Sequence, residues 1–187
     1  DYSIDLNKLE LALKKNKKKN KALVITDYAG HPSDWPRIIK LKKKYNLQIV
    51  NDNCHAMGAK INQNKGYAVK YSDISILSFH PVKAITTGEG GALLTNNRKI
   101  YEKANLLRQH GILRNNNSHW NYKVSVLGYN FRLPDINCAL GISQLKKLDK
   151  YIFARKKISK FYDDLFNDKT KFKIPGKIKN TENSFHL

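Results

Sequence analysis

The sequence is poor in cysteine and has no long apolar run, and both shortages narrow the possible functions. Among 187 residues only Cys54 and Cys138 are cysteines, and they lack the spacing of a metal site. A disulfide framework is therefore not expected, and reduced thiols favour a cytoplasmic protein. Apolar runs fall short of the ~20 residues that cross a bilayer, and no signal-peptide pattern is present, so we expect neither a membrane span nor export.

Acidic residues are also scarce, since 15 Asp and Glu face 35 Lys and Arg, which gives a formal net charge of +20. Such an excess can indicate a nucleic-acid-binding protein, and this alternative stays open. We favour the interpretation that the lysines cover solvent-exposed surfaces and that the protein binds no nucleic acid. The lysines are scattered, and their one dense cluster has no aromatic residue to stack on bases. A substrate carrying a diphosphate would still be attracted. The cluster comprises Lys14, Lys15, Lys17, Lys18 and Lys19.

Short β-branched or apolar runs alternate with amphipathic segments along the chain, and apolar residues make up 41% of it. This order predicts an α/β sheet covered by helices, with ligands bound where strands end. A cap at Ser33 or Asp34 with Pro36 in the first turn predicts a helix that follows the first strand. Strands are expected at 22–26, 47–50, 74–79 and 91–95, and further helices at 6–13 and about 98–109.

A long helical stretch is expected from Pro134 onward. Within it, apolar residues recur at helical spacing along one face. The pattern becomes short and extended near the end of the sequence. The residues of the apolar stripe are Ile158, Phe161, Tyr162 and Leu165.

Segment 78–91 (SFHPVKAITTGEGG) sets Lys83 in a loop directly after a predicted strand and before a glycine-rich turn. A lysine in low-dielectric surroundings loses part of its preference for the charged form and becomes a usable amine nucleophile. The glycines would let the backbone approach a ligand closely. This pattern alone is weak, because a lysine near glycine is far more often a surface residue.

A second strand end carries an acid, Asp52, at the start of 52–59 (DNCHAMGA). The two strand ends could bring Asp52 and Lys83 to one pyridoxal phosphate (PLP). This cofactor needs a lysine that binds it as a Schiff base and a carboxylate that keeps its pyridine nitrogen protonated. Asp52 could equally cap a helix after the strand, and the spacing leaves both interpretations open.

Four further motifs stand in order along the chain: 27–32 (DYAGHP), 107–112 (LRQHGI), 127–132 (LGYNFR) and 139–145 (ALGISQL). Together with 52–59 and 78–91, they resemble the DegT/StrS-type sugar aminotransferases, a PLP family of fold type I. The sequence of residues 80–91 is similar to that of one branch of the family. This branch aminates C4 of a UDP-linked 4-keto-6-deoxy-N-acetylhexosamine on the way to pseudaminic acid. The resemblance implies PLP as cofactor, with a nucleotide sugar and glutamate as substrates.

The same resemblance implies a role for individual residues. Lys83 would bind PLP and move protons as acid and base in turn, and Asp52 would pair with the pyridine nitrogen. His55 would approach the ring hydroxyl, and Ser78 would bind the cofactor phosphate. Asn130 would reach the phosphate of the neighbouring subunit, which implies a homodimer with shared active sites.

Each of three assignments has a simpler alternative. His55 could be a helix histidine, Ser78 could merely end a strand, and Asn130 could be a turn residue. His80 and His110 match motif positions without a defined role, and His110 before a glycine is also typical of a helix terminus.

The resemblance implies a partial aspartate-aminotransferase-like large domain followed by the start of a small α+β domain. Residues 1–132 would form the C-terminal part of the large domain. Residues 133–187 would form connecting helices and the beginning of the small domain, with its first strand entered at 183–187. Family members are longer and supply a phosphate loop and a stacking aromatic, so we expect truncation at both ends and an incomplete site. Two positions depart from the family pattern: Asn51 stands where family members usually have an acid, and Ala84 stands where that branch commonly has proline.

Overall fold

The computed structural model describes residues 2–16, 22–114, 121–167 and 171–187, and it contains a mixed sheet flanked by helices. The α/β class predicted from the sequence is confirmed. The helices are α1 (Leu6–Lys15), α2 (Trp35–Tyr45), α3 (Tyr67–Tyr71), α4 (Arg98–Arg108), α5 (Asp135–Leu145) and α6 (Leu148–Phe166). The strands are β1 (Ala22–Thr26), β2 (Gln48–Asp52), β3 (Lys60–Ile61), β4 (Ile74–Ser78), β5 (Gly91–Leu94), β6 (Ile112–Arg114), β7 (Tyr122–Val124) and β8 (Thr181–Glu182).

The central sheet has the strand order β1-β2-β4-β5, in which the first three strands are parallel and β5 runs antiparallel to β4. Thr26 lies opposite Asp52, which in turn lies opposite Ile76. Ser78 at the end of β4 lies opposite Gly91 at the start of β5. The ends of β1, β2 and β4 therefore meet the beginning of β5 at one edge, called here the carboxyl edge.

The two faces of this sheet differ in burial. On one face Ile25, Ile49 and Asn51 are at most 1% exposed, and Trp35 and Ile38 of α2 belong to the same buried cluster. We call this the closed face. Because side chains alternate along a strand, the neighbouring positions point to the opposite, open face, where Val24 is 61% exposed and Ile76 is 36% exposed.

Local capping explains where the first two helices begin. The Asp5 carboxylate accepts hydrogen bonds from the backbone N–H groups of Asn7 and Lys8 at the start of α1. Asp34, one of the two predicted cap residues, accepts from the Arg37 N–H, and Pro36 lies in the first turn of α2. Of the lysine cluster, Lys14 and Lys15 end α1, whereas Lys17, Lys18 and Lys19 lie outside the described residues.

The helical stretch predicted from Pro134 consists of two helices, because a turn at residues 146–147 separates α5 from α6. The predicted apolar stripe of α6 is on one helix, but its residues are between 49% and 64% exposed. Periodicity shows which side of a helix is apolar and does not identify what covers it. Among the described residues, no helix combines the length and apolarity needed to cross a membrane.

The last residues depart from the prediction. Residues 183–187, expected to enter a strand, have no regular secondary structure, and the strand β8 that precedes them pairs antiparallel with β3. An ion pair of 3.1 Å between Lys60 Nζ and Glu182 Oε2 joins the same two strands. The C-terminal segment therefore lies against the part of the chain that follows β2.

Candidate active site

Asp52 lies at the carboxyl edge, as the last residue of β2, with its side chain on the open face. Its Oδ1 accepts a hydrogen bond from the backbone N–H of Cys54 at 3.2 Å, which forms a tight Asx turn. Residues 53–59 form turns rather than a helix, so the alternative that Asp52 caps a helix is wrong. The half-buried carboxylate is directed away from the hydrophobic cluster.

Lys83 lies in the loop between β4 and β5, where its N–H donates to the carbonyl of His80 at 2.9 Å. The following residues Ala84 and Ile85 are buried, so the half-buried lysine stem begins beside apolar surface. The amine shares a surface depression with Tyr151 and Arg155 of α6. The loop thus presents the amine on the same edge as Asp52.

The electrostatics of Cys54 connect Asp52 with Lys83. Burial raises the pKa of the Cys54 thiol to about 12, and the Asp52 carboxylate adds to that rise. The positive charge of Lys83 opposes that rise. Because β2 and β4 are adjacent parallel strands, Asp52 and the loop that carries Lys83 lie at the same end of the sheet, and Cys54 between them in the sequence is a free thiol.

Ser78 is the last residue of β4, two positions after Ile76, which lies opposite Asp52. Alternation along the strand therefore sets Ser78 on the open face with Asp52. Its Oγ accepts a hydrogen bond from the His80 N–H at 3.4 Å. The hydroxyl hydrogen is thus available to an acceptor, and the position is also that of a strand end.

His55 follows Asp52 in the turn after β2 rather than in a helix. Its Nδ1 accepts from the Ala29 N–H at 3.4 Å, so the neutral imidazole carries its proton on Nε2. Burial lowers the pKa of His55, and the charge of Lys83 lowers it further. The ring packs against Tyr28, with ring centres 5.6 Å apart, and forms part of the edge near Lys83.

Sequence reasoning missed the contribution of the C-terminal segment 183–187. The His186 ring lies 4.4 Å from the His55 ring, centre to centre, and the His186 N–H donates to the Ala29 carbonyl at 3.2 Å. The Ser184 hydroxyl donates to the His55 carbonyl at 3.0 Å. Burial lowers the pKa of His186 to about 4, and the nearby charges of His55, Lys83 and Arg155 act in the same direction.

Gly30 is what allows this segment to approach. Its φ of +89° lies in the left-handed region, and a Cβ there would meet Ser184 Oγ at 2.5 Å and the Phe185 nitrogen at 2.9 Å. Any side chain at position 30 would therefore push the segment away from His55. The glycine was visible in the DYAGHP motif, but its partner is more than 150 positions away in the sequence.

Asp27 was part of the same motif without an assigned role, and the structure buries it completely on the closed face. Burial raises the pKa of its carboxyl group, and hydrogen bonds oppose that rise. Tyr67 keeps its proton, because burial and the Asp27 charge raise the pKa of its hydroxyl well above the usual value. Five groups donate to the Asp27 carboxylate: Ser33 N–H, Trp35 Nε1, Asn51 Nδ2, Asn53 Nδ2 and the Tyr67 hydroxyl.

Asn130 is exposed and pairs with Gln109 at the end of α4, and its described backbone contacts do not involve Asp52, Ser78 or Lys83. Beside it, His110 donates its N–H to the Tyr129 carbonyl at 2.9 Å, and its φ of 62° marks the end of α4. The helix-terminus interpretation of His110 agrees with this geometry. His80 lies beside the Lys83 loop, with Nε2 at 3.7 Å from Glu89 Oε1.

A match to the DegT/DnrJ/EryC1/StrS aminotransferase family extends over residues 1–187. The chain belongs to this family. The UDP-4-amino-4,6-dideoxy-N-acetyl-beta-L-altrosamine transaminase of Campylobacter jejuni is 43% identical over 184 residues, which are 98% of this chain and 48% of that protein. The Helicobacter pylori transaminase of the same name is 38% identical over 181 residues, which are 95% of this chain and 47% of that protein. The chain spans about half the length of these curated relatives.

Solved structures agree with this assignment. Helicobacter pylori PseC, an aminotransferase involved in the biosynthesis of pseudoaminic acid, has a TM-score of 0.83 at 37% identity, over 99% of this chain and 48% of that one. The PLP form of the putative sugar aminotransferase Spr1654 from Streptococcus pneumoniae has a TM-score of 0.85 at 26% identity, over 100% of this chain and 51% of that one. The predicted fold, part of a PLP-dependent aminotransferase large domain, is confirmed, and PLP is the cofactor of this fold.

The residues at the carboxyl edge fit this cofactor chemically. The open face offers a carboxylate for a protonated pyridine nitrogen, a hydroxyl for a phosphate oxygen, and an amine for an aldehyde carbon. The loop that carries the amine closes tightly at Gly90, where φ is +152° and a Cβ would meet Thr87 Oγ1 at 2.6 Å. The three groups belong to Asp52, Ser78 and Lys83.

Proposed function

We propose that this chain is part of a PLP-dependent enzyme that transfers an amino group from glutamate to the keto carbon of a nucleotide-linked 4-keto-6-deoxy sugar. The observation that carries the proposal is the arrangement of Asp52, Ser78 and Lys83 at one edge of the sheet, away from the buried cluster. The names of the altrosamine transaminases support a UDP-linked N-acetylated sugar, and the description of Helicobacter pylori PseC supports a place in pseudaminic acid biosynthesis.

Each residue has a defined task in this proposal. PLP, when bound, supplies the electron sink that stabilises negative charge on the reacting carbon. Asp52 would hold the pyridine nitrogen, Ser78 the phosphate, and His55 the ring hydroxyl through its Nε2–H. Lys83 holds the cofactor through its Nζ and carries protons to and from the reacting carbons.

The amine at position 83 favours transamination over dehydration. One relative, the GDP-4-keto-6-deoxy-D-mannose 3-dehydratase of Yersinia pseudotuberculosis, is 31% identical over 180 residues. The family resemblance implies a histidine at this position in members that dehydrate sugars, whereas this chain has Lys83. A nucleic-acid-binding function, the other candidate for the charge of +20, is not favoured by the family.

The proposal also covers assembly and location. We propose that Asn130 serves the active site of a second subunit in a homodimer, because its contacts lie at the end of α4 rather than at Asp52 and Lys83. Residues 1–132 would then belong to the large domain and 133–187 to the connection with the small domain. The free thiols of Cys54 and Cys138 support a cytoplasmic location.

Reduction of the full-length protein with borohydride tests the role of Lys83. We expect mass spectrometry of digested protein to find the reduced pyridoxyl group on Lys83, and Lys83→Ala to abolish it. Amination of a UDP-linked 4-keto-6-deoxy-N-acetylhexosamine with glutamate should fall at least about a hundredfold in this variant, since proton transfer by a positioned group contributes that much or more. The melting temperature of the PLP-free protein should be preserved, since Lys83 is only half buried.

Lys99→Ala is the matched control, because Lys99 is an exposed lysine on α4 away from the carboxyl edge. This variant should retain the pyridoxyl label and the amination rate. The proposal fails if Lys83→Ala still aminates the sugar at a rate close to that of the unmodified protein.

A further inference from the structure

We propose that Asp27 is a positioning residue, which fixes the direction of Asp52 by holding the two residues on either side of it. This inference rests on the proposed function, in which Asp52 contacts the cofactor nitrogen. Asp27 itself points to the closed face and does not reach the open face where Asp52 lies.

The first argument is the way in which the end of β2 is held. Asn51 and Asn53 each donate an amide hydrogen to the same oxygen, Asp27 Oδ2, at 3.0 Å. Since side chains alternate along the strand, both bonds pull toward the closed face and turn Asp52 toward the open face. A third bond, from the Asp27 N–H to the Asp52 carbonyl at 3.0 Å, fixes the backbone of Asp52 itself.

The second argument is that further hydrogen bonds fix the Asp27 carboxylate itself. Asp27 Oδ1 accepts from the Ser33 N–H at 2.8 Å and from Trp35 Nε1 at 3.1 Å, and the Tyr67 hydroxyl donates to Oδ2 at 2.9 Å. Every described group that forms a hydrogen bond with the carboxyl group is a donor, so the ionised form satisfies all of them. An amide at position 27 would instead direct an NH₂ group at donors and loosen the end of β2.

The third argument concerns why a charge is buried here at all. A buried carboxylate is costly even when it is well hydrogen-bonded, and apolar residues of similar volume often stabilise a fold as well. A fixed geometry is what a fully partnered polar group adds. The groups bound to Asp27 come from four segments: the loop after β1, α2, the two residues beside Asp52, and α3. A single side chain therefore fixes the positions of these four segments relative to one another.

Asn51 provides a way to test geometry separately from charge. Its Nδ2 donates to Asp27 Oδ2, and its Oδ1 accepts from the Ser75 hydroxyl at 3.1 Å. Exchanging the two residues, as in Asp27→Asn with Asn51→Asp, keeps one carboxylate and one amide in contact. Either change alone gives two amides or two carboxylates at that contact.

The test uses the full-length enzyme with PLP and measures two properties of the bound cofactor: its dissociation constant, and the pH dependence of its visible absorption band. We expect Asp27→Asn and Asn51→Asp each to weaken PLP binding by about tenfold, the factor of a lost hydrogen bond to a charged group. Each should also shift the pH at which the absorption changes. The double variant should return both properties part of the way toward those of the unmodified enzyme, because the contact between residues 27 and 51 is restored while Asn53 still faces an NH₂ group at position 27.

Asp73→Asn is the matched control. Asp73 is an aspartate that also accepts a backbone hydrogen bond, from the Ile49 N–H at 2.7 Å, and it pairs with Lys42 Nζ at 2.7 Å. Unlike Asp27 it is half buried and lies at the opposite edge of the sheet. This variant should lower the melting temperature of the enzyme and leave the PLP dissociation constant and the absorption profile unchanged. A purely structural role for Asp27 predicts the same result for Asp27→Asn, and that result would overturn the proposal.

Two further variants make the outcome decisive. If Asp27→Asn does not fold, Asn53→Ala removes one of the two bonds that flank Asp52 without changing charge, and unaltered PLP binding and absorption in that variant would overturn the proposal. Asp52→Ala separates the two levels of inference. An Asp52→Ala enzyme whose absorption profile is normal contradicts the proposed function, whereas an altered profile in Asp52→Ala with a normal one in Asp27→Asn contradicts only the role of Asp27.

Discussion

The closed and open faces of the carboxyl edge hold two carboxylates that differ in everything but their chemistry. Asp27, on the closed face, is fully buried, and five described groups donate hydrogen bonds to its carboxylate. Asp52, on the open face, is half buried and receives a backbone hydrogen bond from Cys54. A carboxylate with all its lone pairs occupied organises the protein, whereas one with unoccupied lone pairs can bind a ligand.

The largest effect is expected from removing the carboxylate of the open face. Asp52→Ala in the full-length enzyme should lower the sugar amination rate by at least about a hundredfold, because the pyridine nitrogen loses its partner. The free energy of unfolding of the PLP-free protein should change little, because the side chain is half exposed. Steady-state kinetics and urea unfolding measure the two quantities.

Asp34→Ala provides the reverse result. Asp34 caps α2 through the Arg37 N–H, so its loss should destabilise the fold by roughly 0.5–2 kcal/mol and leave the amination rate of the folded enzyme unchanged. Near-normal amination by Asp52→Ala would mean that the open face does not carry the chemistry.

A smaller effect comes from two serines of β4 that point to opposite faces. Ser75 is fully buried and donates to Asn51 Oδ1, so Ser75→Ala should cost about 1 kcal/mol of stability and leave PLP affinity nearly unchanged. Ser78→Ala should leave stability intact and weaken PLP binding by about tenfold. Thermal unfolding and spectroscopic titration of both variants test the assignment, and equal effects on PLP affinity would remove the distinction between the faces.

The smallest expected effect is a dependence of stability on pH at the histidines beside the open face. The folded pKa of His186, about 4, lies below its ordinary value of 6.5, so the unfolded chain binds the proton more tightly. The stabilisation is complete above pH 6.5 and is lost as pH falls toward 4. His55, Lys83 and Arg155 face this ring and act in the same direction.

His186→Gln should therefore reduce the loss of stability between pH 7 and pH 5 by on the order of 1 kcal/mol, a value discounted for partial exposure. Urea unfolding at both pH values measures it. An identical loss in the variant and the unmodified protein would exclude His186 as the source. His55→Gln serves as a comparison, since the pKa of His55 is also lowered by burial.

Local sequence predicted the elements whose causes are local. The apolar run of β1 and the cap of α2 are complete within a few residues, and both were placed correctly. The pairing of β3 with β8 could not be predicted, because two-residue strands separated by about 120 positions leave no local pattern. Likewise, the periodicity of α6 predicted its apolar stripe but not that the stripe is exposed.

The candidate site follows the same rule. Asp52, Ser78 and Lys83 could be proposed from the sequence because each lies at or just after a predicted strand within an ordered motif. The role of Asp27 was not found, because its five donors come from four separate segments and meet only after folding. His186 escaped notice because its contacts with Ala29 and His55 are more than 125 positions distant in the sequence.

The bond between the Ser184 hydroxyl and the His55 carbonyl spans 129 positions, whereas the bonds to the Asp27 carboxylate span between 6 and 40. At the usual rate of about 5–20 residues per second, a ribosome needs about 6–26 s to add the residues between these two partners. The polar cluster around Asp27 can therefore assemble while the chain is still being made. The contacts of His55 with Ser184 and His186 can form only after the C-terminal segment has been synthesised. Nascent chains arrested before residue 184 should have an ordered closed face and an open, unprotected His55.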